Sequence, residues 1–264
     1  MLVGFREEGD RARITVSDQN RTVHCWFETR RLYLPALPSR PVLLSMSRTV
    51  FLTYLVRYPS AALLFVQLLG ILLYPFMENT PLGRAAFGAF GVVVLVLALR
   101  IVNRSPTLHS VAFVMAAAIL VLTVAAEVTA VPNLRVALVG LESMFYFYAA
   151  AGLIGYMMED ERTTTDELFA VGATFTLLAW AFAYAYAACQ LLAPGSFVAL
   201  MQPDDPRSWI ELLFLSVTVL SGVGLGDILP LRPVARALVM LEEIAGLMYI
   251  ALVVSRVIGL TIRR

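Results

Sequence analysis

Long apolar stretches constrain this chain more than any other feature of its sequence. Six of them approach the ~20 mostly apolar residues that a transmembrane helix needs. They lie near residues 55–76, 84–102, 110–131, 136–158, 167–192 and 235–260. Hydrophobic residues make up 59% of the 264 positions and charged residues 15%, which leaves little polar surface for a water-soluble protein. The sequence therefore predicts an all-α membrane protein with six transmembrane helices.

The distribution of positive charge predicts the orientation of these helices. All 20 basic residues are arginine. If the N-terminus is cytoplasmic, the arginines left outside are Arg84, Arg135, Arg207, Arg232 and Arg236. Because cytoplasmic loops carry the excess of positive charge in membrane proteins, we expect both termini in the cytoplasm. Basic residues that are all arginine suggest a GC-rich bacterial genome, so we expect a multi-pass protein of the plasma membrane, here a bacterial inner membrane.

Residues 1–48 precede the first apolar stretch and carry many charges. Alternating residues at 13–16 and 21–27, separated by turn-forming residues at 17–20, favour a small β-hairpin. An irregular arm at the membrane surface is an equally good interpretation. The segment is too long and too charged for the first part of a signal peptide, so we expect it to stay attached as a cytoplasmic N-terminal arm.

A short apolar segment lies between the fifth and sixth stretches. Pro203 and Pro206 interrupt regular structure before it, and Ser208 is a favourable N-cap for a helix from about Trp209 to Leu220. A helix of about a dozen residues is about 18 Å long, too short for a bilayer core of about 30 Å. We therefore expect the segment to enter the membrane and return to the same side.

Three glycines at alternate positions, Gly222, Gly224 and Gly226, follow this short helix. Glycine enters the positive-φ region without a Cβ penalty. Irregular backbone at membrane depth is tolerated only where it is buried in protein or lines water. The negative end of the helix dipole favours cations beside such a loop. These residues predict a re-entrant loop that directs carbonyl oxygens into an ion-conducting path.

The residues from Gly222 to Asp227 resemble the Thr-Val-Gly-Tyr-Gly-Asp filter of the tetrameric potassium channels, in particular bacterial six-span proteins related to the two-helix pore family. The resemblance implies a homotetramer in a lipid bilayer, with carbonyl rings that replace the hydration shell of K⁺. It implies a selectivity filter of Gly222, Val223, Gly224, Leu225 and Gly226, with K⁺ at the carbonyls of the first four. No cofactor is implied besides the permeant K⁺ ions.

The same resemblance implies three parts of the chain. Residues 1–48 would be the N-terminal arm, 49–160 a four-helix peripheral membrane domain, and 161–264 a pore domain of outer helix, pore helix, filter and inner helix. Voltage sensors carry several arginines on the fourth span, whereas only Arg135 is present here, at the edge of that span. We therefore expect no strong voltage gating. We also expect no ligand-sensing domain after the sixth span.

Polar residues near the loop are candidates for its support. We expect Asp227 to brace the loop and Thr218, Ser221, Glu242 and Glu243 to support the filter. Adjacent helix positions point about 100° apart, so the two glutamates cannot both face the ion path. One of them is expected to form a hydrogen bond behind the filter, near Thr218 or Ser221. Which one does so is left open by the sequence.

Gly246 lies in the sixth apolar stretch. Similar channels have a glycine in this part of the inner helix, at which the helix bends, so Gly246 is a candidate gating hinge. The alternative interpretation is a small residue that permits close helix approach.

Two departures from the family pattern bear on selectivity. Leu225 replaces the usual aromatic residue and loses its packing behind the filter. Gly222 replaces a threonine that supplies both a carbonyl and a hydroxyl to the innermost ion site. A non-selective cation channel is therefore the first alternative to a potassium channel.

Other functional classes fit the residues less well. Residues 224–227 also match the Gly-x-Gly-Asp motif of intramembrane aspartyl proteases, but a catalytic dyad needs a second aspartate and none lies inside a predicted span. A transporter or a non-conducting membrane scaffold is a further alternative, although the first half shows no second broken segment. We expect no enzyme activity, no nucleic-acid partner and no small-molecule substrate.

Overall fold

The computed structural model of the chain describes most of its residues. The described residues are 2–8, 11–18, 21–28, 58–77, 91, 93–94, 96–98, 106–129, 131–159, 165–201, 203–224 and 226–262. Contacts divide the chain into two compact units, Met1–Ser47 and Arg48–Arg264. Leu225 and most of the predicted second span lie outside the described residues.

The first unit contains a three-stranded antiparallel sheet. Its strands are β1 (Leu2–Glu8), β2 (Arg11–Asp18) and β3 (Arg21–Glu28), in that spatial order. In the register of the strands, Asp18 lies opposite Arg21 at the β2–β3 turn, and Glu8 lies opposite Arg11 at the β1–β2 turn. The predicted hairpin is therefore present as β2 and β3. Strand β1, which extends this hairpin by one strand, was not predicted.

The second unit is built from helices and one small sheet. The helices whose bounds the described residues give are α1 (Pro59–Met77), α2 (Pro106–Thr129), α3 (Pro132–Glu159), α4 (Thr165–Leu192), α5 (Trp209–Leu220) and α6 (Pro233–Ile262). Two short strands, β4 (Phe197–Ala199) and β5 (Ile228–Pro230), flank α5 and the loop that follows it. The predominance of helix is consistent with the predicted all-α membrane class, to which the N-terminal sheet is an addition.

Four of the described helices are long and apolar enough to cross a membrane: α1, α3, α4 and α6. The predicted third span coincides with α2, whose apolar part, Ser110–Ala126, is shorter than a full span. The described residues thus support a membrane protein with four such helices. The number six remains a prediction.

Helix α4 forms the centre of the second unit. It packs against α1, α3, α5 and α6, and 61% of its apolar span is buried within the chain, compared with 17% for α6. A helix that is apolar on all sides is stable when other helices surround it. Ser60 at the start of α1 donates two hydrogen bonds to the Asp166 carboxylate at the start of α4, so these two helices begin side by side.

Candidate functional site

The short helix α5 begins at the predicted N-cap, Ser208, which together with Glu211 forms a complete capping box. The Ser208 hydroxyl accepts from the Glu211 N–H, and the Glu211 carboxylate accepts from the Ser208 N–H at 2.7 Å. Reciprocal bonds of this kind satisfy N–H groups that a helix start leaves without partners. The bounds Trp209–Leu220 agree with the sequence-based expectation.

The residue before this cap is fixed to α4 by a two-point contact. The Gln190 side-chain amide accepts from the Arg207 N–H at 2.9 Å and donates to the Arg207 carbonyl at 3.0 Å. The Arg207 guanidinium is buried, contacts the Glu211 carboxylate at 3.2 Å and donates to the Asp205 carbonyl. The start of α5 is therefore held by both its own cap and the end of α4.

Aromatic rings surround the same end of α5. The Trp209 ring lies 5.3 Å from the Trp180 ring, 5.7 Å from the Tyr184 ring and 5.3 Å from the Tyr74 ring. Tyr146 stacks on Tyr184. Close aromatic pairs add to the stabilisation from burial alone. These contacts connect α5 directly to α1 and α4, and Tyr146 joins α3 to the same cluster through Tyr184.

The loop after α5 turns back onto the end of that helix. The Gly222 N–H donates to the Val219 carbonyl at 2.9 Å, and the N–H groups of Val223 and Gly224 both donate to the Thr218 carbonyl at 3.0 Å. Gly222 and Gly224 have φ values of +74° and +63°, as glycine permits, whereas Gly226 is not among the positive-φ glycines.

The carbonyl groups of this loop have a different environment from its N–H groups. Among the described residues, no donor is directed at the carbonyls of Gly222, Val223 or Gly224, and all three residues are exposed. Backbone carbonyls away from bulk water need a partner. The loop thus uses the N–H groups of these three residues internally and leaves their carbonyls available.

Both flanks of the loop are tied together by β4 and β5, which pair antiparallel from Phe197 with Pro230 to Ala199 with Ile228. The Leu231 N–H donates to the Ser196 carbonyl at 2.9 Å. The Arg232 guanidinium donates twice to the Pro194 carbonyl. The segment before α5 therefore closes against the segment after the loop.

The predicted support residues occupy different environments. The Thr218 side chain is buried and donates to the Leu215 carbonyl, while the Ser221 hydroxyl donates to the Thr218 carbonyl. Asp227 is exposed, and its backbone carbonyl accepts from the Leu200 N–H at 3.3 Å. No described residue donates to the Asp227 carboxylate, and its role as a brace stays a prediction.

The two adjacent glutamates of α6 point in different directions. Glu242 is fully buried, and its carboxyl group is within hydrogen-bond distance of the Tyr186 and Ser216 hydroxyls. Glu243 is exposed. The partner of Glu242 in α5 is Ser216 rather than the expected Thr218 or Ser221. Gly246, one turn farther along α6, is buried against the backbone of Leu220.

The other end of α6 is held by α4. The Tyr249 hydroxyl donates to the Val171 carbonyl at 2.6 Å, and Arg256 forms an ion pair of 3.3 Å with the buried Glu167. These contacts lie on the far side of Gly246 from the loop. Helix α6 is thus attached to α4 at Tyr249 and Arg256.

Sequence reasoning missed Gln190, Arg207, Tyr186 and Ser216 as contributors to this site. A polar side chain within an otherwise apolar helix was the available signal for Gln190 and Ser216. That signal identifies a residue in need of a partner but does not say which element supplies it.

Comparison with known families identifies the same region. Residues 174–263 match a family model described as ion channel. The matched segment contains α5, the glycine loop and α6, together with most of α4. No curated protein and no solved structure matches the chain. The match supports an ion-channel family and, with it, a lipid-bilayer context for the chain.

Proposed function

We propose that this chain is the pore-forming subunit of a homotetrameric cation channel that prefers potassium and is not strongly voltage-gated. The observation that carries the proposal is the loop after α5. The N–H groups of Gly222, Val223 and Gly224 are satisfied by the helix, while the carbonyls of the same residues receive no donor from the described residues. Four such loops around one axis would offer rings of oxygen to a dehydrated cation.

The surroundings of the loop support this role. The loop lies at the carboxyl end of α5, where the helix dipole is negative and favours cations. The cap at Ser208, the Gln190 contact and the β4–β5 pairing fix both ends of the segment. A rigid support is required because carbonyls that replace water must keep their spacing as ions pass.

The exposed faces of α6 support assembly from several copies. Large apolar side chains lie exposed along this helix: Met240, Leu241, Ile244, Leu247 and Met248. In a single chain such a surface would face lipid or another protein. We propose that neighbouring copies cover part of it in a tetramer within a bacterial plasma membrane, with cytoplasmic termini.

A non-selective cation channel is the second candidate. Gly222 favours it, because this residue supplies no hydroxyl at the position where the family pattern has threonine. The two candidates differ only in how strongly the site discriminates between K⁺ and Na⁺.

Purified protein reconstituted into liposomes tests the proposal. We expect K⁺ efflux that exceeds Na⁺ efflux under matched gradients, with empty liposomes as the control. Equal fluxes would favour the non-selective channel. Absence of both fluxes from correctly assembled protein would refute the channel. The mass of the detergent-solubilised particle gives the number of copies, and a monomer or dimer would contradict a four-fold pore.

A further inference from the structure

One buried carboxyl group joins the three helices of the site. Glu242 of α6 is 0% exposed. The Tyr186 hydroxyl of α4 is bonded to Oε2 of Glu242, and the Ser216 hydroxyl of α5 is bonded to Oε1. The Ser216 hydroxyl oxygen also lies 2.8 Å from the Ala179 carbonyl oxygen of α4. These contacts form one connected network.

The number of hydrogens in this network determines its protonation. If each of the three oxygen–oxygen contacts is a separate two-centre hydrogen bond, the network needs three hydrogens. The Tyr186 and Ser216 hydroxyls supply one each, and the Ala179 carbonyl supplies none. If Ser216 donates to Ala179, the hydrogen between Ser216 and Glu242 must come from the carboxyl group. We propose that Glu242 is a protonated, neutral acid that donates to Ser216 and accepts from Tyr186.

The absence of a nearby cation agrees with this assignment. Within the described parts of the chain, the ion pairs join Arg207 to Glu211 and Arg256 to Glu167, and neither includes Glu242. An ionised carboxylate buried without a counter-charge is strongly disfavoured, whereas a neutral acid with its hydrogen bonds satisfied is tolerated.

Glu242 is a positioning residue for the loop. Ser216 and Leu220 of α5 face Glu242 and Gly246 of α6, so both contacts recur at a spacing of one helical turn. The carbonyls of Thr218 and Val219, between these two contacts, hold the N–H groups of the loop. Glu242 therefore fixes the position of α5 along its axis and its rotation about that axis, and the loop follows directly after α5. Its effect on ion selection rests on the proposed function.

Protonation is tested directly by infrared spectroscopy of the full-length protein. We expect the C=O stretching band of a protonated carboxyl group in the native protein, lost in Glu242→Gln and retained in Glu243→Gln, the exposed neighbour. A band that Glu242→Gln leaves unchanged would overturn the assignment. This readout requires no ion flux, so it remains decisive even if the native protein does not conduct.

The positioning role is tested by the ratio of K⁺ to Na⁺ flux in liposomes. A glutamine donates and accepts at the same two places as the neutral acid, so Glu242→Gln should keep the native ratio. Tyr186→Phe, which removes one hydroxyl and keeps the ring, should lower the ratio by about tenfold, the factor for about one buried hydrogen bond.

The K⁺ to Na⁺ flux ratios of the native protein and of the two variants distinguish three outcomes. A ratio reduced equally by Glu242→Gln and Tyr186→Phe would show that the negative charge is required and overturn the proposal. A native ratio in Tyr186→Phe would overturn the positioning role. Absence of flux from the native protein would refute the proposed function. The infrared band would then be the test of whether Glu242 is protonated.

Discussion

Gly246 lies so close to the end of α5 that a methyl group on it would be 2.1 Å from the Leu220 carbonyl oxygen. The obstacle is backbone rather than a flexible side chain, so it cannot move aside without shifting α5. This relationship supports the interpretation of Gly246 as a residue that permits close helix approach. Its role as a gating hinge stays a prediction.

Gly246→Ala should therefore destabilise the protein by about 1–3 kcal/mol, the usual cost of overpacking a tight contact. Gly140→Ala is the matched control, because it adds the same methyl group to an apolar helix with no atom within 4 Å. Thermal unfolding in detergent compares the two. Equal stability of both variants would show that the Leu220 contact does not constrain α6.

Gly224→Ala should abolish ion flux while the protein remains assembled. The φ of Gly224 is +63° and no atom lies within 4 Å of an added methyl group, so the penalty is conformational, about 1–2 kcal/mol. Gly195→Ala carries the same strain at φ +75°, with equally open space, but lies before β4. We expect it to retain flux. Native flux in Gly224→Ala would remove this glycine from the conduction path.

The Ser208 cap predicts a defined stability loss. Ser208→Ala removes the oxygen that accepts the Glu211 N–H and should cost about 1 kcal/mol, whereas Ser208→Asp keeps an acceptor and should be close to native. Chemical denaturation in detergent measures both. If alanine and aspartate destabilise equally, the loss comes from something other than the cap.

The ion pair between Glu167 and Arg256 should couple the far end of α6 to α4. We expect Glu167→Gln and Arg256→Gln to destabilise the protein less than additively when combined, with a coupling of at least about 0.5 kcal/mol. Full additivity in the double-mutant cycle would indicate independent side chains.

Much of the architecture was predictable because local chemistry decides it. Apolar length fixed the expectation of membrane helices, and four of the described helices meet it. The proline pair, the Ser208 cap and the apolar run to Leu220 predicted α5 with its bounds. Alternation and turn residues predicted the β2–β3 hairpin, whereas β1 was missed because its residues were not weighed as a strand.

The partners of individual side chains required the tertiary structure. Helix α6 is apolar on most sides, so periodicity could not indicate which of Glu242 and Glu243 is buried. Burial of Glu242 beside Ser216, the clamp of Gln190 on Arg207 and the pairing of β4 with β5 all join residues far apart in the chain. Such contacts depend on how helices rotate and cross.

The sequence by itself determined that the chain is suited to a lipid bilayer and where its backbone can turn. Long apolar stretches form helices that can cross a bilayer, and glycines mark positions where the backbone can adopt a positive φ. The tertiary structure alone decided that Glu242 is inside, that Gly246 meets a backbone carbonyl, and that the Arg256 charge meets Glu167. The physical reason is that propensity acts between near neighbours, whereas burial and hydrogen-bond partners are fixed by the packing of whole helices.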